Sequence, residues 1–153
     1  MNSHLKWPVK IIQLLSVIGL LVAWYLYLYH EQVITTQCGD GGFFDCSQVS
    51  GPSSPYSTIG ETSIAAIGLA GYALFFLLIW GESFSKMLAR YLDSLLLLFA
   101  GGGLLFTLYL KGLELFVIEA MCEYCLYSAI IMLLIFLLAL FNFFRPSKKP
   151  IQG

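Results

Sequence analysis

Long apolar runs alternate with short polar connections along the chain. The runs cover residues 11–29, 63–80, 92–110 and 124–144. Each is close to the roughly 20 apolar residues that a helix needs to cross a bilayer. The pattern therefore predicts an all-α membrane protein, a bundle of four transmembrane helices forming one membrane domain over residues 1–153.

Composition supports lipid as the solvent of this chain. Hydrophobic residues make up 59% of the sequence and charged residues only 11%. A soluble domain carries about a quarter charged residues, so this chain has too few charges to cover a water-exposed surface. The net charge is −1, and no extended basic cluster occurs. We therefore expect membrane lipid, and no nucleic acid, among its partners.

The basic residues are distributed unevenly between the two sides of the predicted bundle. Of the 8 Lys and Arg residues, only Lys111 lies in a connection on the side opposite to the termini. Basic residues concentrate in cytoplasmic connections, so both termini are expected in the cytoplasm. All four cysteines, Cys38, Cys46, Cys122 and Cys125, then fall on the extracytoplasmic side. Disulfides form and persist in that compartment.

The first outer connection, residues 31–62, is long and rich in Gly, Ser and Pro. A loop of this length is functional or disordered, and two cysteines within it favour function. We expect Cys38 and Cys46 to form a mobile redox pair in this loop. Within the third run, the glycines at 101–103 either let helices pack closely or make room for a flat ligand.

The second cysteine pair, Cys122 and Cys125, opens the fourth apolar run. Residues three apart on a helix share a face. If the helix begins near 119–121, both thiols lie in or near its first turn, where unpaired N–H groups favour the thiolate. This pair could take electrons from the loop pair by thiol–disulfide exchange and pass them to a lipid-soluble quinone.

Two other interpretations of the cysteines remain open. They could form two structural disulfides in a tetraspan scaffold without catalytic function. They could also form a four-cysteine zinc site, whose ligand spacing a Cys-x-x-Cys resembles. An oxidising compartment and the wide spacing of Cys38 and Cys46 make zinc the weaker alternative, and we expect no metal.

Several motifs together resemble the vitamin K epoxide reductase family. They are Cys-x7-Cys-Ser-x-Val at 38–49, Ser-Pro-Tyr-Ser at 54–57, Gly-Leu-Ala-Gly-Tyr at 68–72 and the "CEYCLYSA" that begins at Cys122. Bacterial members of this family are oxidases that form disulfides. The resemblance implies a four-helix bundle around a quinone of the ubiquinone or menaquinone type, in a bacterial inner membrane. We expect no fused thioredoxin-like domain of the kind that some members carry, so a separate thioredoxin-like protein is the expected partner.

The resemblance also assigns roles to the four cysteines. Cys125 is expected to face the quinone, with Cys122 as its partner. Cys122 is expected to exchange with Cys46, and Cys38 to meet the thioredoxin-like protein. The expected enzyme is thus a quinone-dependent thiol–disulfide oxidoreductase.

The quinone pocket is expected to involve Ser54 and Tyr56, which lie in the segment that caps the pocket in relatives, and Ser128. Four residues after Cys125, where the vertebrate enzymes have a tyrosine, this chain has Ala129. Vitamin K epoxide or vitamin K quinone reduction is an alternative to disulfide formation, and the missing tyrosine makes the epoxide reaction the less expected of the two. Disulfide bond formation protein B is another alternative, although there the Cys-x-x-Cys precedes the looser pair, in the opposite order to this chain.

Overall fold

The computed structural model of the chain describes residues 7–35, 42–82 and 84–144. Helices make up most of this part of the chain. They are α1 (Trp7–His30), α2 (Cys46–Ser50), α3 (Ile64–Gly81), α4 (Lys86–Leu113) and α5 (Glu123–Phe144). A π-helical turn, Glu114–Ile118, continues α4. Two short strands, β1 (Thr58–Ile59) and β2 (Thr62–Ser63), pair as an antiparallel hairpin.

Four of these helical segments are long and apolar enough to cross a membrane: α1, α3, α5 and α4 together with its π-helical turn. The predicted fold class, a four-helix membrane bundle, is confirmed. The largest difference is in the third span, which was predicted at 92–110 and extends from Lys86 to Ile118. Its helix begins early because the Ser85 side chain accepts a hydrogen bond from the Leu88 N–H, 3.4 Å away, and so caps the helix.

The bundle packs around α1, which contacts both α3 and α5, while α4 packs against α5. Buried apolar side chains from all four spans form the core, among them Ile12, Phe75, Leu96 and Ile135. Large apolar side chains also cover the outside of the bundle, including Leu14 at 61% and Leu105 at 71% exposure. An apolar exterior of this kind is what contact with lipid requires.

Close packing between α1 and α3 depends on a glycine. A Cβ atom added to Gly19 would lie 2.6 Å from Cζ of Tyr72, well inside van der Waals contact. The missing side chain lets the Tyr72 ring pack closely against α1, as small residues allow between membrane helices. From there the Tyr72 hydroxyl reaches α5, where it lies 2.8 Å from Ser128 Oγ.

The first outer connection is more ordered than the sequence predicted. Among its described residues, α2 forms a short helix that Asp45 caps by accepting from the Ser47 N–H. The helix ends at Ser50 with Gly51 as its C-cap, just before Pro52, which cannot continue the hydrogen-bond pattern. The β1–β2 hairpin then turns at Gly60, whose φ of +65° is a conformation that glycine adopts without strain. These local caps and turns organise the described residues of a connection that was predicted only as a long functional loop.

Candidate functional site

A backbone bridge joins the first outer connection to the segment before α5. The Met121 N–H donates to the Phe43 carbonyl at 2.8 Å, and the Asp45 N–H donates to the Met121 carbonyl at 3.0 Å. These bonds pair Phe44 with Met121 in parallel orientation. Cys122 directly follows Met121, and Cys46 lies two residues after Phe44. The bridge therefore sets Cys46 beside Cys122.

Asp45 fixes the start of α2 and therefore the position of Cys46. Its carboxylate accepts hydrogen bonds from the Ser47 N–H at 2.9 Å, from the Ser47 hydroxyl and from Gln48 Nε2 at 3.1 Å. The Ser47 hydroxyl is the strongest of the influences that hold the pKa of the Asp45 carboxyl below its usual value. An ionised N-cap of this kind stabilises a helix too short to be stable alone.

Two sulfur atoms meet where α2 contacts the start of α5. Cys122 Sγ lies 3.2 Å from Cys46 Sγ, and both residues are fully buried at 0% exposure. Cys46 is disulfide-bonded, whereas Cys122 and Cys125 are free thiols. Cys46 was expected in a mobile loop, but it is held in a helix because Val49 and Cys46 pack against Leu26 in a small apolar cluster.

Cys122 occupies the N-cap position of α5. Its carbonyl accepts from the Leu126 N–H at 3.0 Å, and α5 begins one residue later at Glu123. The helix therefore starts after the expected 119–121, and only Cys125 lies within its first turn. A hydrogen bond from the Cys125 thiol, aided by the Cys125 backbone N–H and opposed by burial, lowers the pKa of Cys122 from 9.0 to about 7.

Ser50, at the end of α2, contacts both sulfurs of the helix pair. Its hydroxyl lies 3.3 Å from Cys125 Sγ and donates to Cys122 Sγ at 3.7 Å. Ser50 was not predicted as a site residue, because only the fold of the outer connection brings it to α5. Its distance of four residues from Cys46, one helical turn, is the signal that could have indicated it.

The lowered pKa of Cys122 makes the chemistry of this thiol pH-dependent. With a pKa of about 7, about half of Cys122 is thiolate at pH 7, against about one in a hundred for a thiol with the unshifted pKa of 9.0. We expect single-turnover reduction of a quinone by the prereduced protein to accelerate as pH rises through about 7 and then to level off. Stopped-flow quinone absorbance measures this rate. Ser50→Ala should move the midpoint upward, and a wild-type midpoint near 9.0 would contradict the assignment.

A cavity of about 340 Å³ lies between α1, α3, α4 and α5, and Cys125 is part of its wall. Its volume is in the range of ligand pockets, which are mostly apolar with a few polar groups. Most lining residues here are apolar. The polar or ionisable side chains in the lining are His30, Ser50, Tyr56, Ser57, Tyr72, Thr107, Lys111, Glu114, Cys125 and Ser128.

Some of the residues predicted for a quinone pocket line the cavity, and others do not. Tyr56 and Ser128 line the cavity. Ser54 is not among the described lining residues. Its hydroxyl donates to the Gln48 carbonyl at 2.6 Å and braces the segment after α2. Cys38 lies outside the residues that the structure describes. Of the glycines predicted to pack helices or admit a ligand, Gly103 lines the cavity.

A buried ion pair that was not predicted from the sequence also borders the cavity. Lys111 Nζ lies 2.6 Å from Glu114 Oε2, with side-chain exposures of 15% and 4%. The Glu114 carboxylate also accepts a hydrogen bond from the backbone N–H of Cys122. The spacing of three residues with opposite charges on a helix was the available signal. Glu114 thus links the end of the third span to the cysteine pair.

Buried thiols beside an apolar cavity, within a bundle of four membrane-spanning helices, define an integral membrane protein with a thiol redox site. The model of the vitamin K epoxide reductase family matches residues 10–140. The chain belongs to the vitamin K epoxide reductase family. A search of curated proteins finds no match to the chain.

Membership of this family settles several expectations at a coarse level. Its members are membrane oxidoreductases with activity related to disulfides and to quinone reduction. They use quinones or vitamin K, and they generally work with thioredoxin-like partners. The predicted family is confirmed, and the alternative of disulfide bond formation protein B is not the family that matches.

Proposed function

We propose that this protein is a thiol oxidase that generates disulfides. Electrons pass from an extracytoplasmic thioredoxin-like protein to the Cys38 and Cys46 pair, then to the Cys122 and Cys125 pair, and finally to a quinone of the ubiquinone or menaquinone type. The observation that carries this proposal is the distance of 3.2 Å between Cys122 Sγ and Cys46 Sγ, together with Cys125 in the cavity wall. One cysteine of the helix pair contacts the outer connection while the other borders the cavity.

The transfer between the pairs is an exchange of disulfides. The thiolate of Cys46 attacks Cys122 in a Cys122–Cys125 disulfide, and Cys125 leaves as a thiolate. Cys38 then attacks Cys46, which restores the disulfide of the outer connection and releases Cys122. Two electrons move to the helix pair, and no external oxidant is consumed in this step. A disulfide-bonded Cys46 beside free Cys122 and Cys125 corresponds to the state after this transfer.

The second transfer oxidises the helix pair and reduces the quinone. Two thiols lose two electrons and two protons to form the Cys122–Cys125 disulfide, and the quinone gains the same number to become a quinol. Cys125 is the residue that faces the substrate, since it lines the cavity. Cys122 completes the disulfide as a thiolate, which its lowered pKa favours. Tyr56 and Ser128 bound the space for the quinone ring.

We place the active site on the extracytoplasmic side of a bacterial cytoplasmic membrane, with both termini in the cytoplasm. The concentration of Lys and Arg near the termini and in the connection between α3 and α4 supports this orientation. It gives a periplasmic or external thioredoxin-like protein access to Cys38. It also keeps the cavity within reach of quinones dissolved in the lipid.

The test uses purified protein in detergent with ubiquinone-1 and either dithiothreitol or a reduced thioredoxin-like protein as electron donor. Quinone absorbance should fall with either donor, and the thioredoxin-like donor should accumulate as a disulfide. Cys38→Ala should abolish turnover driven by the protein donor, since Cys38 is its proposed point of entry. No quinone reduction by the wild type with either donor would favour the non-catalytic scaffold.

A further inference from the structure

Ser50 brings a hydroxyl group to the two sulfurs of the helix pair. Its oxygen lies 3.3 Å from Cys125 Sγ and 3.7 Å from Cys122 Sγ. Ser50 also follows Cys46 by four residues, so the short helix α2 presents a sulfur and a hydroxyl group to the same cysteine pair. Both sulfurs of that pair leave as thiolates during the proposed exchange. Cys125 leaves first, when Cys46 attacks Cys122. Cys122 leaves second, when Cys38 attacks Cys46.

A thiolate that forms at this site has few other donors of a hydrogen bond. Cys122 is fully buried, and the cavity beside Cys125 is lined mostly by apolar residues. Besides Ser50, the described side chain that hydrogen-bonds to Cys125 is the thiol of Cys122. In the mixed disulfide, the Cys122 sulfur is bonded to Cys46 and carries no proton to donate. Among the described side chains, the Ser50 hydroxyl is then the donor that remains for Cys125.

We propose that the Ser50 hydroxyl is a catalytic group of the exchange, where it donates a hydrogen bond to each leaving thiolate in turn. The inference rests on the proposed function, because it names a residue that acts in that electron transfer. Either atom of the contact between Ser50 and a Cys125 thiol could be the donor, but a thiolate has no hydrogen, so the hydroxyl then donates.

The effect of this hydrogen bond grows as the reaction proceeds. Negative charge develops on the leaving sulfur while its disulfide bond breaks, and a donor already aimed at that sulfur stabilises the charge as it forms. Hydrogen bonds to charged acceptors are stronger than those to neutral ones. Exchange is faster when the leaving thiolate is more stable. Ser50 itself gains and loses neither a proton nor electrons.

The exchange can be isolated in a Cys38→Ala background, where it stops at the mixed disulfide of Cys46 and Cys122. The prereduced protein is oxidised at about pH 5 with equimolar ubiquinone-1, and the fall in quinone absorbance reports the disulfide of Cys122 and Cys125. A thiol of ordinary pKa holds almost no thiolate at about pH 5, so Cys46 does not yet attack. A jump to about pH 8 starts the exchange. Mass spectrometry of acid-quenched samples measures the cross-link from Cys46 to Cys122.

Three substitutions of Ser50 separate its hydroxyl from packing. Ser50→Ala removes the hydroxyl, while Ser50→Thr and Ser50→Val have nearly the same shape and differ in the hydroxyl. We expect the rate constant of cross-linking to fall about tenfold in the alanine and valine variants, because a hydrogen bond to a charged group is lost. In the threonine variant it should stay within about threefold of the parent, because the donor is retained.

Equal rate constants in the parent and Ser50→Ala would overturn the proposal. A threonine variant as slow as the valine variant would also overturn it, since the shape of the side chain rather than its hydroxyl would then be responsible. Quinone reduction without any cross-link in the parent would overturn it as well, because Cys46 would not be the attacking group. A parent that reduces no quinone would instead refute the proposed function.

Discussion

Replacing Cys125 by alanine is expected to abolish quinone reduction and to trap a disulfide between Cys46 and Cys122. Cys125 is the cysteine in the cavity wall, so its loss removes the thiol that faces the quinone. Removal of a catalytic nucleophile lowers turnover by at least about a thousand-fold. Without Cys125, the Cys122 thiolate can attack only the disulfide at Cys46, whose sulfur lies 3.2 Å away. Forming the bond requires an approach of about 1 Å.

Mass spectrometry of peptides from the unreduced variant detects the cross-link, and quinone absorbance measures the turnover. The reaction is run at pH 9, because loss of the Cys125 hydrogen bond, the main cause of the lowered pKa of Cys122, makes the thiolate rarer at neutral pH. The double variant Cys46→Ser, Cys125→Ala should show no cross-link. Retained turnover in Cys125→Ala, or a cross-link from Cys122 to another cysteine, would contradict the relay.

The spans could be predicted from the sequence because lipid imposes a simple rule on them. Across the thickness of the bilayer, backbone polar groups must be hydrogen-bonded within the helix. The length and hydropathy of a segment are therefore enough to predict that it spans the membrane. The rule fails at span ends such as Lys86, where a charged residue reaches the interface while its backbone remains helical. The helix of the third span therefore begins at Lys86, six residues before the predicted start at 92.

The contact between Cys46 and Cys122 could not be predicted from local sequence patterns. It depends on the parallel bridge between Phe44 and Met121, a pairing of residues 77 positions apart, from 44 to 121. No periodicity within either segment encodes that register. The four cysteines could be singled out because thiols carry redox chemistry. Which of them exchange with one another was expected only from the resemblance to a family. The cap by Asp45, in contrast, has a local signal, since Asp before Cys-Ser-Gln is a common helix start.

Residues around the cavity were predicted less well than the cysteines. Ser54 was expected in the segment that caps a quinone pocket; its hydroxyl bonds to the Gln48 carbonyl, and a role in the pocket stays a prediction. For Lys111, the sequence indicated only that it lies on the side opposite to the other basic residues. Its ion pair with Glu114 links it to the site. Which face of a helix borders a cavity depends on how neighbouring helices are rotated, and small differences in hydropathy around lipid-exposed helices do not specify that rotation.

Removal of the Glu114 carboxylate is expected to destabilise the bundle strongly. Lys111 and Glu114 are in contact at 2.6 Å with little solvent exposure, and the Glu114 carboxylate also accepts from the Cys122 N–H. Glu114→Ala leaves the Lys111 cation without a counter-ion in apolar surroundings. Breaking a buried ion pair in this way lowers the free energy of unfolding by about 3–5 kcal/mol. Circular dichroism during SDS titration in mixed micelles measures this change.

The double variant Lys111→Met, Glu114→Ala is the matched control. It removes the unpaired cation together with its partner, so it should lose only the hydrogen bond to the Cys122 N–H, about 1 kcal/mol. A double variant more stable than Glu114→Ala would show that the unpaired cation causes the loss. If Glu114→Ala lost less than about 1 kcal/mol, Lys111 would have reached water through its flexible stem. The pair would then position Cys122 without stabilising the bundle, and quinone reduction, rather than unfolding, would be the property that Glu114→Ala impairs.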